Sequence, residues 1–235
     1  MAKKSMESQA FLEWLSEWEA NLPSVDLKQA LVDPAQVAVV SQDLVKGFCD
    51  VGPLASERAA LIVPAAVAVF RRSYDLGVRH FLLLQDTHDP EAVEFSAYPP
   101  HCIEGTEESE TIDELRELPF SNLFTVLPKN STSSQVGTGL EAWLREQPEV
   151  NTFIIVGVCT DICVYQAAIY FRVRANVLGQ EDTRVIVPDD CVQTFDTPVE
   201  VATEIGAMPH DGDLLHRLFL YHMALNDVQV VASLT

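Results

Sequence analysis

Asn151-Thr-Phe-Ile-Ile-Val-Gly157-Val158-Cys159-Thr160-Asp161-Ile162-Cys163-Val164 is the stretch on which the fold turns. Its first eight residues are rich in β-branched and aromatic side chains and too few for an ordinary helix, so they read as a strand buried on both faces. The chain then passes through a short polar turn into 161–176, whose apolar spacing is helical. A buried strand that runs straight into a helix is half of a parallel strand–helix–strand unit. The same alternation extends outward in both directions. Strand-length apolar runs recur at 37–42, 79–85, 123–127, 183–187 and 227–232, and helices are expected at 57–76, 136–147, 197–206 and 212–224. The pattern predicts a three-layer α/β/α architecture around a mostly parallel six-stranded sheet.

Ahead of this unit, Phe11, Trp14, Leu15 and Trp18 recur at helical spacing with Glu13, Glu17 and Glu19 between them. Residues 6–20 therefore read as an amphipathic helix that either caps the sheet or contacts another subunit. We expect residues 1–35 to form a helical extension packed on a single domain spanning 36–235. No internal repeat or linker marks a second domain.

Composition narrows the function. The 235 residues carry 35 acidic and 15 basic side chains, a formal charge of −20 that repels nucleic-acid phosphates and anionic lipid. Neither nucleic acid nor membrane is an expected partner; a small molecule is. The longest apolar run, Leu61 to Phe70, is too short to span a bilayer and contains Pro64. The opening Met-Ala-Lys-Lys-Ser leads to Glu7 and Glu13 rather than an apolar signal core, and the five cysteines form no disulfide framework. A cytoplasmic location is the expectation.

In parallel sheets, ligands bind beyond the carboxyl ends of the strands. The segments there read Ser41-Gln42-Asp43, Gln85-Asp86-Thr87-His88, Pro128-Lys129-Asn130 and Val158-Cys159-Thr160-Asp161-Ile162-Cys163. Cys163 falls where a strand turns into a helix, whose first amides and dipole favour a thiolate. Its alternative is a buried cysteine acting as a small hydrophobe. Asp43 is placed to exchange a proton with Cys163 if burial raises its pKa, and Lys129 supplies the complementary charge. Taken singly, Asp43 could be a cap and Lys129 a surface lysine; their common rim favours a triad. Asp86, His88 and His101 make a three-ligand set suited to a divalent metal, zinc first, with iron or manganese as alternatives. Cys159 and Cys163 lack the spacing of a redox pair, and Cys49, Cys102 and Cys191 read as passengers. His80, His210, His216 and His222 read as packing or surface residues.

Taken together, these segments resemble the isochorismatase-like cysteine hydrolase superfamily from about Ala35 onward, and within it the nicotinamidases, the plant-type branch especially. The residues that carry the resemblance are Asp43-Leu-Val-Lys-Gly-Phe48, Asp86-Thr-His88-Asp-Pro, Tyr98-Pro-Pro-His101-Cys, Lys129 and Gly157-Val-Cys-Thr-Asp-Ile-Cys163-Val. Most members open with Asp-x-Gln-x-Asp-Phe, whereas Val45 and Gly47 stand at the Gln and second Asp positions here. The resemblance implies hydrolysis of nicotinamide to nicotinic acid and ammonia through a cysteine thioester, serving NAD salvage. It implies that Phe48 and Tyr98 sandwich the ring, that the metal holds the pyridine nitrogen, and that the N–H groups of Cys159 and Cys163 form the oxyanion hole. A cis peptide between Val158 and Cys159 and a homo-oligomeric assembly are further implications. A sister amidase for an N-carbamoyl or ureido substrate would use the same triad, and a non-catalytic binding module would keep only the fold.

Overall fold

The computed structural model describes the backbone of residues 2–235 and the side chains of residues 8–235. Its strands are β1 (Ser24–Val25), β2 (Val37–Gln42), β3 (His80–Asp86), β4 (Phe124–Lys129), β5 (Thr152–Val158), β6 (Arg184–Pro188), β7 (Val192–Gln193), β8 (Gln229–Val231) and β9 (Ser233–Leu234). The α-helices are α1 (Ala2–Ala20), α2 (Leu27–Ala30), α3 (Lys46–Cys49), α4 (Glu57–Asp75), α5 (Asp113–Arg116), α6 (Leu140–Glu146), α7 (Tyr165–Leu178), α8 (Val199–Ile205) and α9 (Gly212–Leu225).

Six strands lie side by side in the order β4-β3-β2-β5-β6-β8, all parallel, and β7 pairs with the end of β5 as a seventh. The six long runs seen in the sequence are these six strands. Val192–Gln193 is too short to leave a periodic signal. The sheet alternates its burial between two apolar layers. Val37, Val39, Phe81, Leu83, Ile154 and Val156 face α4, whereas Ala38, Val40, Leu82, Leu84 and Ile155 face α6, α7 and α9. Covering both faces forces each central strand to be apolar on both sides, as the sequence shows.

Local chemistry sets the helix ends. The Ser56 side chain accepts from the Arg58 N–H and opens α4, Asp211 caps α9 through the Leu214 N–H, and Gly179 ends α7 in a left-handed conformation. The helix expected from residue 136 begins only at Leu140, after Gly137 at φ 71 and Gly139. The one expected from 161 starts as a wider π-type turn over Thr160–Val164 and becomes regular at Tyr165. Helix α1 lies along α9, with Phe11, Trp14 and Trp18 around Tyr221 and Glu19 bonded to Arg217. No helix among the described residues is long and apolar enough to cross a membrane.

The strand order reverses between β2 and β5, the position where such sheets open a crevice at their carboxyl edge. Gln42 and Gly157 are directly opposite there, and Gly157 has φ 120; a Cβ on it would sit 1.9 Å from the Gln42 carbonyl oxygen. Only glycine permits this approach, which draws Asp43 and the turn after β5 together.

Candidate active site

The ends of β2, β3, β4 and β5 deliver one buried cluster. Lys129 Nζ lies 2.9 Å from Asp43, 2.5 Å from Asp86 and 3.8 Å from Cys163 Sγ. Asp43, Asp86 and Cys163 each offer an atom within 4.8 Å of the others. All four side chains are almost inaccessible to water. The Asp43–Lys129–Cys163 grouping nominated from strand ends is therefore spatially one group, and Asp86, read as a metal ligand alone, also shares the lysine.

Asp43 is heavily held. Its Oδ1 accepts from the Asp86 N–H at 2.7 Å, and its Oδ2 accepts from Lys129 and from Gln42 Nε2 at 2.7 Å. Ser134 in turn donates to Gln42 Oε1. Burial first, and then the charge of Asp86, raise the Asp43 pKa to about 6, while Lys129 and the hydrogen bonds restrain the rise. Asp86 moves the other way, because Lys129 and the two histidines outweigh its burial. Lys129, facing both carboxylates, is held well above its ordinary value despite burial.

The sulfur departs from the sequence expectation. Burial pushes the Cys163 thiol well above its usual range; Lys129 draws it down, and Asp43 and Asp86 push it up again. The helix-end preference for a thiolate does not prevail, since burial opposes the charge and regular helix begins only at Tyr165. Two carboxylates lie within 4.8 Å of the sulfur, at hand to take its proton. The peptide between Val158 and Cys159 is cis, as the resemblance implied. Burial raises Cys159 to about 12, with the Asp161 charge adding to it.

Beside the cluster, Asp86, His88 and His101 offer ligand atoms within 4.8 Å of one another. His88 Nδ1 meets Asn130 Oδ1 at 3.2 Å and His101 Nδ1 meets the Pro99 carbonyl at 2.8 Å, which leaves both Nε2 atoms turned to Asp86, at 3.4 and 3.8 Å. Fixing one ring nitrogen on an outer partner is how metal-binding histidines are oriented. His88 Nε2 is buried with no hydrogen-bond partner. An orphaned imidazole nitrogen facing a carboxylate and a second imidazole fits a divalent ion. A second group, Glu19, Asp189 and His216, has the right residue types, but its atoms are spent on each other and on Arg217.

Phe48 and Tyr98 both approach the His101 ring edge-on, with centroids at 5.6 and 6.3 Å. Several participants carried no sequence signal because a single chain does not show what its loops touch. Phe95 packs on both metal-type histidines. Glu94 places Oε1 4.0 Å from His88 Nε2 while Oε2 accepts from the Thr132 N–H. Asn130, which follows Lys129 directly, orients His88. His210 and His216 are also more than packing: each is hydrogen-bonded to the turn that carries Cys163.

Replacing Lys129 by Met would leave two buried carboxylates without a cation. In chelator-treated protein, a loss of ~3–5 kcal/mol is expected by urea denaturation. The loss should shrink as pH falls and the carboxyls protonate; an unchanged midpoint at neutral pH would show that the lysine is not the balancing charge.

An α/β fold with a buried Asp–Lys–Cys group at its strand-order reversal defines a cysteine-dependent hydrolase. The family model described as the isochorismatase domain matches residues 37–211, and the chain belongs to that family. It is 31% identical over 220 residues to nicotinamidase 1 of Arabidopsis thaliana, covering 86% of this chain and 87% of that one. It superposes on the pyrazinamidase/nicotinamidase of Streptococcus mutans UA159 with a TM-score of 0.65 at 25% identity, over 83% of this chain and 99% of the other. The pyrazinamidase of Pyrococcus horikoshii, whose structure is a complex with zinc, shares the fold at 20% identity, with a TM-score of 0.62 over 83% and 98%.

Proposed function

We propose that the protein hydrolyses nicotinamide to nicotinic acid and ammonia. The observation that carries this reading is the convergence of Asp43, Lys129 and Cys163 beside a ring-flanked set of metal-type ligands. Asp43, with its raised pKa, takes the thiol proton as Cys163 Sγ bonds to the carboxamide carbon and the C=O electron pair moves to oxygen. The N–H groups of Cys159 and Cys163 receive that oxyanion. As the tetrahedral species collapses, the C–N bond breaks, Asp43 protonates the nitrogen, and ammonia departs from a thioester. Asp43 then draws a proton from water, whose oxygen bonds to the thioester carbon; as the C–S bond breaks, Asp43 returns that proton to the Cys163 sulfur, freeing the acid and restoring the thiol. Lys129 keeps its charge throughout and compensates the anionic states of its neighbours. Phe48 and Tyr98 hold the flat ring between aromatic surfaces.

Asp86, His88 and His101 would hold a divalent ion, zinc first, which when bound supplies a ligand site for the pyridine nitrogen and so orients the ring. Metal analysis of protein purified without added metal is expected to find about one ion per chain, and His101→Ala to lose it. Wild-type protein free of metal would count against nicotinamide.

Ammonia release from nicotinamide, pyrazinamide and N-carbamoyl or ureido amides tests the substrate. Turnover of nicotinamide is expected. Turnover of a ureido compound alone would assign a sister amidase, and no release from any would favour a binding module.

A further inference from the structure

The turn that carries Cys163 has two polar side chains, Thr160 and Asp161, and both are engaged by histidines from a different part of the chain. Thr160 is wholly buried, its Oγ1 hydrogen-bonded to His216 Nδ1 at 2.8 Å, and His216 Nε2 lies 2.8 Å from Asp189 Oδ1. His210 Nε2 lies 2.8 Å from Asp161 Oδ2, and His210 Nδ1 lies 2.9 Å from the Phe195 carbonyl oxygen. The His210 ring also lies flat on Phe195, with centroids 3.8 Å apart and planes 20° from parallel. Thr194 Oγ1 donates to the other Asp161 oxygen at 2.5 Å.

We infer that His210 and His216 are positioning residues that clamp the nucleophile turn from two consecutive positions, setting where Cys163 and its neighbouring N–H groups point. The inference rests on Cys163 being the nucleophile.

The anchors behind the two rings are themselves fixed. Arg58 of α4 donates to the Thr194 carbonyl, to Gln193 Oε1 and to Asp213. The strap carrying Phe195 is thereby tied to the start of α9, where Gly212 packs so closely that a Cβ would lie 2.6 Å from the Phe195 carbonyl oxygen. Thr197 and His210 form a backbone bridge across the same strap. Burial works against ionisation of Asp161, but the hydrogen bonds from His210 and Thr194 outweigh it and hold the carboxyl below its ordinary value. Inside the turn itself, the Ile162 and Val164 N–H groups both go to the Cys159 carbonyl. The Asp161 side chain ties the turn to Thr194 and His210 of the strap, and the Thr160 side chain ties it to His216 of α9.

A positioning role separates from a merely structural one in the kinetics, because misplacing a nucleophile or an oxyanion donor weakens the transition state and spares ground-state binding. The test compares His210→Leu with His210→Gln, whose amide nitrogen reaches the place of Nε2, and His216→Leu with His216→Asn, whose amide takes the place of Nδ1. Nicotinamide hydrolysis, thermal midpoint and the rate of Cys163 alkylation by iodoacetamide, followed by peptide mapping, are measured for each. The Leu variants are expected to lose ~100-fold in kcat with KM within about two-fold, to alter the Cys163 alkylation rate, and to keep a cooperative melt. His210→Gln is expected to recover most of the loss. Unchanged kcat and alkylation in both Leu variants overturns the inference, as does a loss that follows the melting temperature and is no better in His210→Gln. If wild-type protein releases no ammonia from any amide, the enzymatic reading fails instead, and the alkylation rates alone decide whether the histidines position the sulfur.

Discussion

Cys163→Ala is expected to abolish ammonia release from nicotinamide, a fall of ~1,000-fold or more, because no other group in the cluster can form the thioester. Lys129 Nζ and the Asp43 carboxylate remain in place but have no sulfur between them and the substrate. The fold should survive, since the change removes one small atom from a buried site and leaves the hydrogen bonds of Thr160 and Asp161 in the turn intact. Asp86, His88 and His101 are untouched, so bound metal should stay at the wild-type level. Metal content thus separates loss of the nucleophile from collapse of the site. Turnover near the wild-type rate in this variant would remove the proposed chemistry altogether.

Among the glycines, Gly157 is the position where an added methyl should do most damage. At φ 120 an alanine is strained wherever it sits, and its Cβ would lie 1.9 Å from the Gln42 carbonyl oxygen, a backbone atom that cannot swing away. Relief requires β2 and β5 to separate at the point where the strand order reverses. A destabilisation above ~4 kcal/mol is expected by urea denaturation. Any folded fraction should be nearly inactive, because the separation moves Asp43, one residue beyond Gln42, away from Cys163. A denaturation midpoint matching wild type would show that this contact does not hold the rim together.

Much of this was legible beforehand, for a definite reason. Strands buried on both faces must be apolar along their whole length, and long amphipathic helices must repeat every three to four residues, so each leaves a pattern that needs no partner to be read. The runs at 37–42, 151–158 and 183–187 coincide with strands to within a residue or so. The side chains at the strand ends stand out because parallel sheets gather ligands at that edge. What failed to show were short elements and cross-chain contacts. Val192–Gln193 has two residues and no period; Glu94, Phe95 and Asn130 sit in loops with no repeat; His210 and His216 look like any other histidines until Thr160 and Asp161 are placed beside them.

The sequence by itself determined the layered α/β class, the strand and helix order and the candidate reactive groups, since these depend on periodicity and on residue chemistry carried within short stretches. Only the tertiary structure decided the electrostatic balance: that Lys129 serves two carboxylates, that the Asp43 pKa rises while that of Asp86 falls, and that burial raises that of the Cys163 thiol. Those outcomes depend on distances of a few ångströms between residues more than thirty positions apart, and on the exclusion of water around them, which no local pattern encodes.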